Sequence, residues 1–145
     1  MGPMTTATKR HATAKEVWRL LFELAFANRG KLVGRIFALG LTPPQAFALR
    51  RLDPERPVPM SELASWLACD ASNVTGLVDR LEARGLVERQ SVEHDRRVKA
   101  LAVTPAGVEM RKRLIDLMHE PPDWVAKLSG EDRDMLREIL ERAQT

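Results

Sequence analysis

Short polar side chains cluster at the start of one segment of the sequence, DASNVTGLVDRLEARG at residues 70–85. Ser72, Asn73 and Thr75 can each donate and accept hydrogen bonds, and an asparagine amide can pair with two atoms on one adenine edge. Such side chains are short enough for the backbone to approach a nucleic-acid surface closely. Because the same residue types also favour the first turn of any helix, a purely structural role is the alternative.

Two further residues of this segment lie on the same outward side. Gly76 offers no side chain for a contact and costs a helix roughly 1 kcal/mol relative to alanine. Arg80 follows Asp79, so its guanidinium can either bind a phosphate or form an ion pair within the chain. The sequence leaves both roles of Arg80 open.

A second concentration of charge lies at residues 94–99, where the sequence reads HDRRVK. Arg96, Arg97 and Lys99 place three fixed positive charges against the single negative charge of Asp95. A local excess of cations at the tip of a hairpin can bind phosphate or enter a minor groove. The alternative is a charged turn that faces only water.

The polar residues of the segment at 70–85 are predicted to lie on a helix. The spacing i, i+3, i+4 and i+7, which is typical of a buried helix face, is occupied by the apolar residues Val74, Leu77, Val78 and Leu81. Asp70 is suited to cap this helix at its start, and Gly85 to end it in a left-handed conformation. The sequences LVERQ and VKALAVT that follow predict a two-stranded hairpin with the basic run at its tip.

Two helices are predicted before this segment. The first begins at Thr42, has prolines at its first two positions and runs to about Leu52, where the sequence DPERPVP stops it. The second covers residues 61–68 and is followed by a turn that contains Cys69. The helix at residues 61–68, the turn with Cys69 and the helix that starts at Asp70 form a helix-turn-helix, whose second helix has polar residues facing outward. The hairpin that follows makes it a winged helix.

Apolar helices are predicted at both ends of the chain. Residues 13–39 are so rich in large apolar side chains that a second subunit is the expected cover, the alternative being a central helix buried within one chain. Residues 28–31 are expected to bend or split this helix. One helix follows Thr104 and ends before Pro121, and the last helix starts at Ser129. The residues expected in the dimer interface are Val17, Trp18, Leu21, Leu136, Ile139 and Leu140.

Composition narrows the class of protein. A chain of 145 residues, 44% of them hydrophobic, fits one domain with a substantial core. The formal net charge is +3, but residues 70–104 contain six basic and six acidic residues, so this segment has no net charge. A broad polyanion-binding face is therefore disfavoured, and locally placed cations remain the expected contacts.

Several other kinds of site lack the residues that they need. The single cysteine, Cys69, excludes an intramolecular disulfide and cysteine-rich zinc sites, and it is expected to be a small buried thiol. His11, His94 and His119 show no metal-ligand spacing, and neither a cofactor motif nor a catalytic constellation is found, so we expect no enzyme. No apolar run approaches the ~20 residues that span a bilayer, and no signal-peptide pattern occurs, which predicts a cytoplasmic protein.

The sequence from Leu63 to Gly107, LASWLACDASNVTGLVDRLEARGLVERQSVEHDRRVKALAVTPAG, closely resembles the MarR family (multiple antibiotic resistance regulators) of bacterial transcription regulators. VTGLVDRLEARGLVER and the DRR of the wing carry most of this resemblance. It implies a mainly α-helical winged helix-turn-helix with a small β-hairpin wing, and a homodimer formed by the first and last helices. It also implies a repressor that binds a pseudo-palindromic operator in double-stranded DNA and is released by a small effector, often a phenolic anion, or by an oxidant.

The resemblance also implies roles for single residues. Arg97 matches the wing arginine of the family and is expected in a minor groove, with its guanidinium held by Asp95. Arg96 and Lys99 are then expected to bind phosphates. At position 76 related proteins often carry a larger polar side chain, so Gly76 removes a direct base contact from that position.

These inferences divide the chain into three parts. Residues 1–12 are expected to form a disordered or extended tail, in which residues 1–3 are typical of a cloning remnant; residues 13–41 and 105–145 form the dimerisation region; and residues 42–104 form the DNA-binding lobe. Two other functions stay open. The winged helix can serve protein contacts alone, or Cys69 can act as a thiol redox switch, although the family's peroxide-sensing branch carries its reactive cysteine in the first helix.

Overall fold

The computed structural model describes residues 10–67, 71–92 and 95–145, with the backbone alone at positions 71, 72, 95 and 96. The predicted cap Asp70, the turn with Cys69, His94 and the tail before residue 10 lie outside the described residues. Residues 10–12 have no regular secondary structure. The elements, in chain order, are α1 Ala14–Ala38, α2 Pro43–Arg51, β1 Val58–Pro59, α3 Met60–Leu67, α4 Ala71–Ala83, β2 Val87–Val92, β3 Asp95–Val103, α5 Pro105–His119, α6 Asp123–Ala126 and α7 Gly130–Ala143.

Hydroxyl side chains start the long helices where the sequence predicts them. The Thr13 hydroxyl accepts a hydrogen bond from the backbone N–H of Glu16, and the Glu16 carboxylate accepts one from the backbone N–H of Thr13 at 2.7 Å. These bonds satisfy N–H groups that have no partner within the helix. Hydroxyl caps also start α2, α5 and α7, at Thr42, Thr104 and Ser129.

α1 is one continuous helix of 25 residues, so the prediction that residues 28–31 bend or split it is wrong. The Asn28 amide donates to the Leu24 carbonyl at 2.7 Å, and a Cβ on Gly30 would meet no atom within 4 Å. Asparagine and glycine lower helix stability by only about 1 kcal/mol or less each. The hydrogen bonds and packing of a long helix outweigh that cost.

The predicted two-stranded hairpin is confirmed, since β2 pairs antiparallel with β3, and an additional strand extends it to a sheet with the order β1-β3-β2. The additional strand, β1, pairs Val58 with Leu101, and both side chains are completely buried. Its two residues end the sequence DPERPVP, for which the sequence predicts only that it stops the preceding helix. Burial of Val58 against the core, a tertiary effect, places them in the sheet.

The hydrophobic core lies where α2, α3 and α4 pack against the sheet. The predicted inner face of α4 is confirmed by the burial of Val74, Leu77, Val78 and Leu81. α1 and α5 reach this core through Ile36 and Leu114 respectively. The end of α1 is therefore part of the same packed unit as α4.

Most of α1 is exposed, so the alternative of a helix buried within one chain is wrong. Trp18 is 67% exposed and Phe26 62%, whereas Ile36 is the buried residue of this helix. In α7 no residue is buried. Of the side chains predicted for a dimer interface, Leu136 is half-buried in the single chain, and the exposed ones are Val17, Trp18, Leu21, Ile139 and Leu140.

Two smaller features complete the fold. The four-residue helix α6, which the sequence analysis missed, starts directly after Pro122, the residue in its N-cap position. Over the residues that the structure describes, no single helix is long and apolar enough to cross a membrane. α1 and α2 meet such a criterion only when taken together, and an 80° bend separates them.

Candidate nucleic-acid interface

α4 presents its polar residues outward, as predicted. Asn73, Thr75 and Arg80 are exposed and Gly76 is half-buried, while the opposite face of the helix packs into the core. Ser72 lies in the first turn, and its side chain is outside the described part of the structure. Hydrogen-bonding groups therefore stand on one side of a helix that is anchored by the other.

Three of these positions come together along one edge of α4. Asn73, Gly76 and Arg80 line a groove of about 730 Å³. The middle of the groove is open, because a Cβ on Gly76 would meet no atom within 4 Å. The facing wall comes from the start of α2 and the end of α3, with Thr42, Pro43, Pro44, Phe47, Trp66 and Leu67.

An ion pair with the neighbouring Asp79 was one of the two roles left open for Arg80, and the structure shows Asp79 paired with Arg89 instead, while phosphate binding by Arg80 stays a prediction. The Asp79 carboxylate accepts a hydrogen bond from Nη2 of Arg89 at 2.5 Å. Arg80 forms no ion pair with any residue that the structure describes. Its exposed guanidinium is therefore available to an external anion such as a phosphate.

Arg89 on β2 ties the wing to α4, a role that the sequence analysis missed. Besides Asp79, its guanidinium donates to Glu82 Oε1 at 2.8 Å, and its backbone N–H donates to Glu82 Oε2 at 3.1 Å. The Arg89 side chain is only 24% exposed. The hydrogen bond to Asp79 raises the pKa of Arg89, and the charge of Glu82 raises it further. The available signal was an arginine shortly after a helix that carries carboxylates at i and i+3.

The wing carries exposed cations on β3. Arg97 and Lys99 are both exposed, and Val98 between them is also exposed. Lys99 Nζ donates to the Ser91 hydroxyl on β2 at 3.1 Å, a bond across the hairpin that the sequence did not predict. The side chains of Asp95 and Arg96 are outside the described residues, so the contact between Asp95 and Arg97 stays a prediction.

A cation held between aromatic rings stands beside the groove, and it too was missed. The guanidinium carbon of Arg51 lies 5.4 Å from the ring centre of Phe47 and 5.6 Å from that of Trp66. Aromatic faces attract cations at such distances. Phe47 and Arg51 are one helical turn apart in the sequence, but only the tertiary fold brings Trp66 to them. The contact fixes α3 against the end of α2.

A separate cavity of about 420 Å³ lies between α1 and the segment that joins α5 to α6. Two ion pairs stand at its rim, Lys31 with Asp123 at 2.8 Å and Arg35 with Glu120 at 2.5 Å. The hydrogen bond and the charge of Lys31 hold the pKa of Asp123 below its usual value. Apolar cavities with a few charged groups at the rim can bind small organic ions.

Within residues 10–67, 71–92 and 95–145, no group of histidine, cysteine and acidic residues is arranged to hold a metal ion. Cys69, on which the redox alternative depends, is outside those ranges. A thiol switch therefore stays a prediction.

Known proteins with similar sequences are transcription regulators. The MarR family model matches residues 41–99. The uncharacterised HTH-type transcriptional regulator YfiV of Bacillus subtilis is 31% identical over 106 residues, which are 72% of this chain and 66% of YfiV. The transcriptional repressor MprA of Escherichia coli K12 is 30% identical over 119 residues, which are 79% of this chain and 65% of MprA. The chain thus spans just under two thirds of the length of these relatives.

A solved structure shows the same fold. The transcriptional regulator Tm0710 of Thermotoga maritima has a TM-score of 0.73 to this chain at 28% identity, over 90% of this chain and 92% of Tm0710. Residues 41–99, which the MarR family model matches, include α2, α3, α4, β2 and the part of β3 up to Lys99. The mainly helical winged fold predicted from the sequence is therefore confirmed, and this chain belongs to the MarR family, whose members are transcription regulators and not enzymes.

Proposed function

We propose that this chain is a homodimeric repressor that binds a pseudo-palindromic operator in double-stranded DNA. α4, the recognition helix, enters a major groove with Asn73 and Thr75 towards the bases, and the wing brings Arg97 to the adjacent minor groove. One observation carries this proposal: α4 is buried along one face and exposes polar groups on the other, while Arg89 bonds it to the wing. Helix and wing can then meet DNA as one unit.

Ion pairs within the lobe reduce the negative charge that α4 would bring to DNA. Asp79 and Glu82 are both bound by Arg89, so one cation offsets much of the negative charge on that side of α4. Arg80, Arg97 and Lys99 are cations at exposed positions. Each phosphate contact contributes roughly −0.9 to the slope of log affinity against log salt. A few placed cations, doubled by a dimer, can therefore give affinity without a broad basic face.

The exposed apolar residues of α1 and α7 support the homodimer. Trp18 on α1 and Ile139 on α7 are large apolar side chains that a second copy of the chain would remove from water. A dimer places its recognition helices in successive major grooves when they are about 34 Å apart. The relative MprA is a repressor, which favours repression over activation here.

The proposed effector is a small organic anion. The proposed place of action is the cytoplasm, where the protein binds DNA. The cavity between α1 and the α5–α6 segment has Lys31 and Arg35 at its rim. An anion that competes for these cations would separate them from Asp123 and Glu120. Salicylate, a phenolic anion, is a suitable probe: it should weaken operator binding by wild-type protein, and less so by the Arg35→Met variant.

The central test is selection of duplexes from a random library with the full chain, followed by fluorescence anisotropy at several salt concentrations. We expect a pseudo-palindromic site bound by two copies of the chain. Arg97→Ala should weaken binding about tenfold and reduce the salt slope by roughly 0.9 per arginine that loses a phosphate. The matched control is Arg113→Ala, which removes the same charge from an exposed site on α5 and should bind normally.

Two measurements separate this proposal from a module for protein contacts. Light scattering after gel filtration reports whether the chain is a homodimer. Micromolar affinity for every duplex, unchanged by Arg97→Ala, would contradict the repressor and favour the protein-contact module.

A further inference from the structure

The dimer helix α1 ends in a glycine turn that leaves two carbonyl groups without partners inside the helix. The Leu41 N–H donates to the Ile36 carbonyl at 3.3 Å, and the Gly40 N–H donates to the Phe37 carbonyl at 2.8 Å. With its φ of +74°, Gly40 completes a Schellman turn. The carbonyls of Leu39 and Gly40 follow these last helical bonds, at the negative end of the helix dipole.

The recognition helix α4 ends in the same kind of turn. The Leu86 N–H donates to the Leu81 carbonyl at 3.1 Å, and Gly85 has a φ of +69°. This left-handed glycine is the one that the sequence predicts. Arg84 occupies the position directly before it and points away from the core of its own lobe towards solvent and α1.

Arg84 connects the two turns directly. Its Nη1 donates to the Gly40 carbonyl at 2.5 Å, and its Nη2 donates to the Leu39 carbonyl at 3.2 Å. A Cβ on residue 40 would stand 3.2–3.3 Å from three guanidinium atoms. Glycine at position 40 therefore serves both the left-handed turn and the close approach of Arg84.

The contact lies where the two functional parts of the chain meet. α1 carries exposed apolar side chains such as Trp18 near its start and the buried Ile36 near its end. At 1.5 Å per residue its 25 residues span about 37 Å. Apolar packing around Ile36 holds the helix end but is not directional, whereas two hydrogen bonds from one planar guanidinium fix an angle. A small rotation at this junction would move α4 substantially relative to a partner that is held along α1.

We propose that Arg84 is a positioning residue: by clamping the end of the recognition helix to the end of the dimer helix, it sets the distance between the two recognition helices of the dimer. This inference rests on the proposed dimeric DNA-binding function. It assigns to Arg84 the selection of half-site spacing, without a contact to the bases.

The test uses the full chain and a set of duplexes that carry the two selected half-sites with their spacing changed by one or two base pairs in either direction. Anisotropy gives the dissociation constant of wild type, Arg84→Ala, Arg84→Lys and the control Arg113→Ala for each duplex. Wild type and the control should prefer the selected spacing about tenfold over its neighbours, and Arg84→Ala should reduce this preference to about twofold. Arg84→Lys, which cannot span both carbonyls in the same way, should show an intermediate preference.

The outcomes are distinguishable. Loss of a charge alone would weaken binding to every duplex by the same factor, so a weaker but equally sharp preference in Arg84→Ala overturns this inference. Melting curves show whether Arg84→Ala is folded. If it is not, the same criterion is applied to Arg84→Lys, and a spacing preference as sharp as that of wild type overturns this inference. A wild-type protein without any spacing preference would instead contradict the dimeric operator-binding function, and this inference with it.

Discussion

Asp79 on α4 and Arg89 on β2, the first wing strand, are joined by a 2.5 Å hydrogen bond between Oδ1 and Nη2. Glu82, nearly one turn further along the helix, holds the same guanidinium and the Arg89 backbone N–H. A single arginine thus spans two acidic residues of α4 and the start of the wing. This contact therefore joins the wing directly to α4.

Replacing Arg89 with methionine should loosen the wing more than it destabilises the fold. The side chain is largely covered but its two partners are substantially exposed, so the free energy of unfolding should fall by about 1 kcal/mol. Operator affinity should fall about tenfold, because the wing cations lose their fixed position. Urea denaturation and anisotropy measure the two effects separately.

The control for this variant is Arg137→Met. Arg137 pairs with Asp134 at 3.4 Å on the exposed surface of α7, an ion pair of small energetic value. Arg137→Met should therefore leave both the free energy of unfolding and the operator affinity nearly unchanged. Equal loss of affinity in both variants would show that total charge matters and the position of the wing does not.

Gly107 in the first turn of α5 should tolerate no side chain. A Cβ at this position would lie 1.9 Å from the Leu86 carbonyl oxygen and 2.8 Å from Cγ1 of Val103. The Leu86 carbonyl is fixed, since it also accepts a hydrogen bond from the Thr104 N–H at 3.1 Å. Gly107→Ala should therefore cost about 2–4 kcal/mol of unfolding free energy in urea titrations.

Gly130→Ala provides the matched comparison. Gly130 opens α7, and a Cβ there would meet no atom within 4 Å. This substitution should leave stability unchanged or raise it by up to about 1 kcal/mol. If both alanine variants are equally stable, the close approach between α5 and Leu86 does not limit the fold.

Local patterns in the sequence predict most of the helices and the outward face of the site. The spacing of Val74, Leu77, Val78 and Leu81 identifies the buried face of α4, and the hydroxyl residues before α1, α2, α5 and α7 mark where these helices start. These signals come from residues within one or two helical turns of each other, so the sequence of the segment alone is enough to predict the helix.

Contacts between distant residues could not be predicted in the same way. Arg84 bonds to carbonyls 44 and 45 positions earlier in the chain. Val58 becomes a strand residue only because Leu101 is available to pair with it. In both cases the chemistry of each residue is ordinary, and the role comes from its tertiary neighbour.

The ion pair between Lys31 and Asp123 should make the rim of the cavity sensitive to acid. Because the folded protein lowers the pKa of Asp123, the contribution of this carboxylate to stability is complete above its unfolded pKa and is lost as pH falls through the folded pKa. The change should thus occur below about pH 4. Carbon-13 NMR titration of the Asp123 carboxyl group should show a higher pKa in Lys31→Met than in wild type.

Lys127 supplies a smaller, purely electrostatic effect on the same carboxylate. Lys127→Met should therefore raise the pKa of Asp123 by less than Lys31→Met does. Equal shifts in the two variants would mean that general positive charge, and not the direct hydrogen bond from Lys31, lowers the pKa.

Gly76 should accept a long side chain and gain DNA affinity from it. The position is in the middle of α4, it lines the open groove, and a Cβ there would meet no atom within 4 Å. Gly76→Arg should add one phosphate contact and make the salt slope steeper by roughly 0.9 for each arginine that binds DNA. Removing a glycine from the helix should also stabilise the fold by roughly 1 kcal/mol.

Gly76→Ala separates the two effects of that substitution. Alanine should give the same gain in stability, seen as a rise of about 2–4 °C in Tm, with no change in the salt slope. If Gly76→Arg raises Tm but binds operator with the wild-type slope, residue 76 does not face the phosphates. In that case α4 would lie in the DNA groove rotated about its own axis, so that Thr75 faces the DNA and the Asn73–Gly76–Arg80 edge does not.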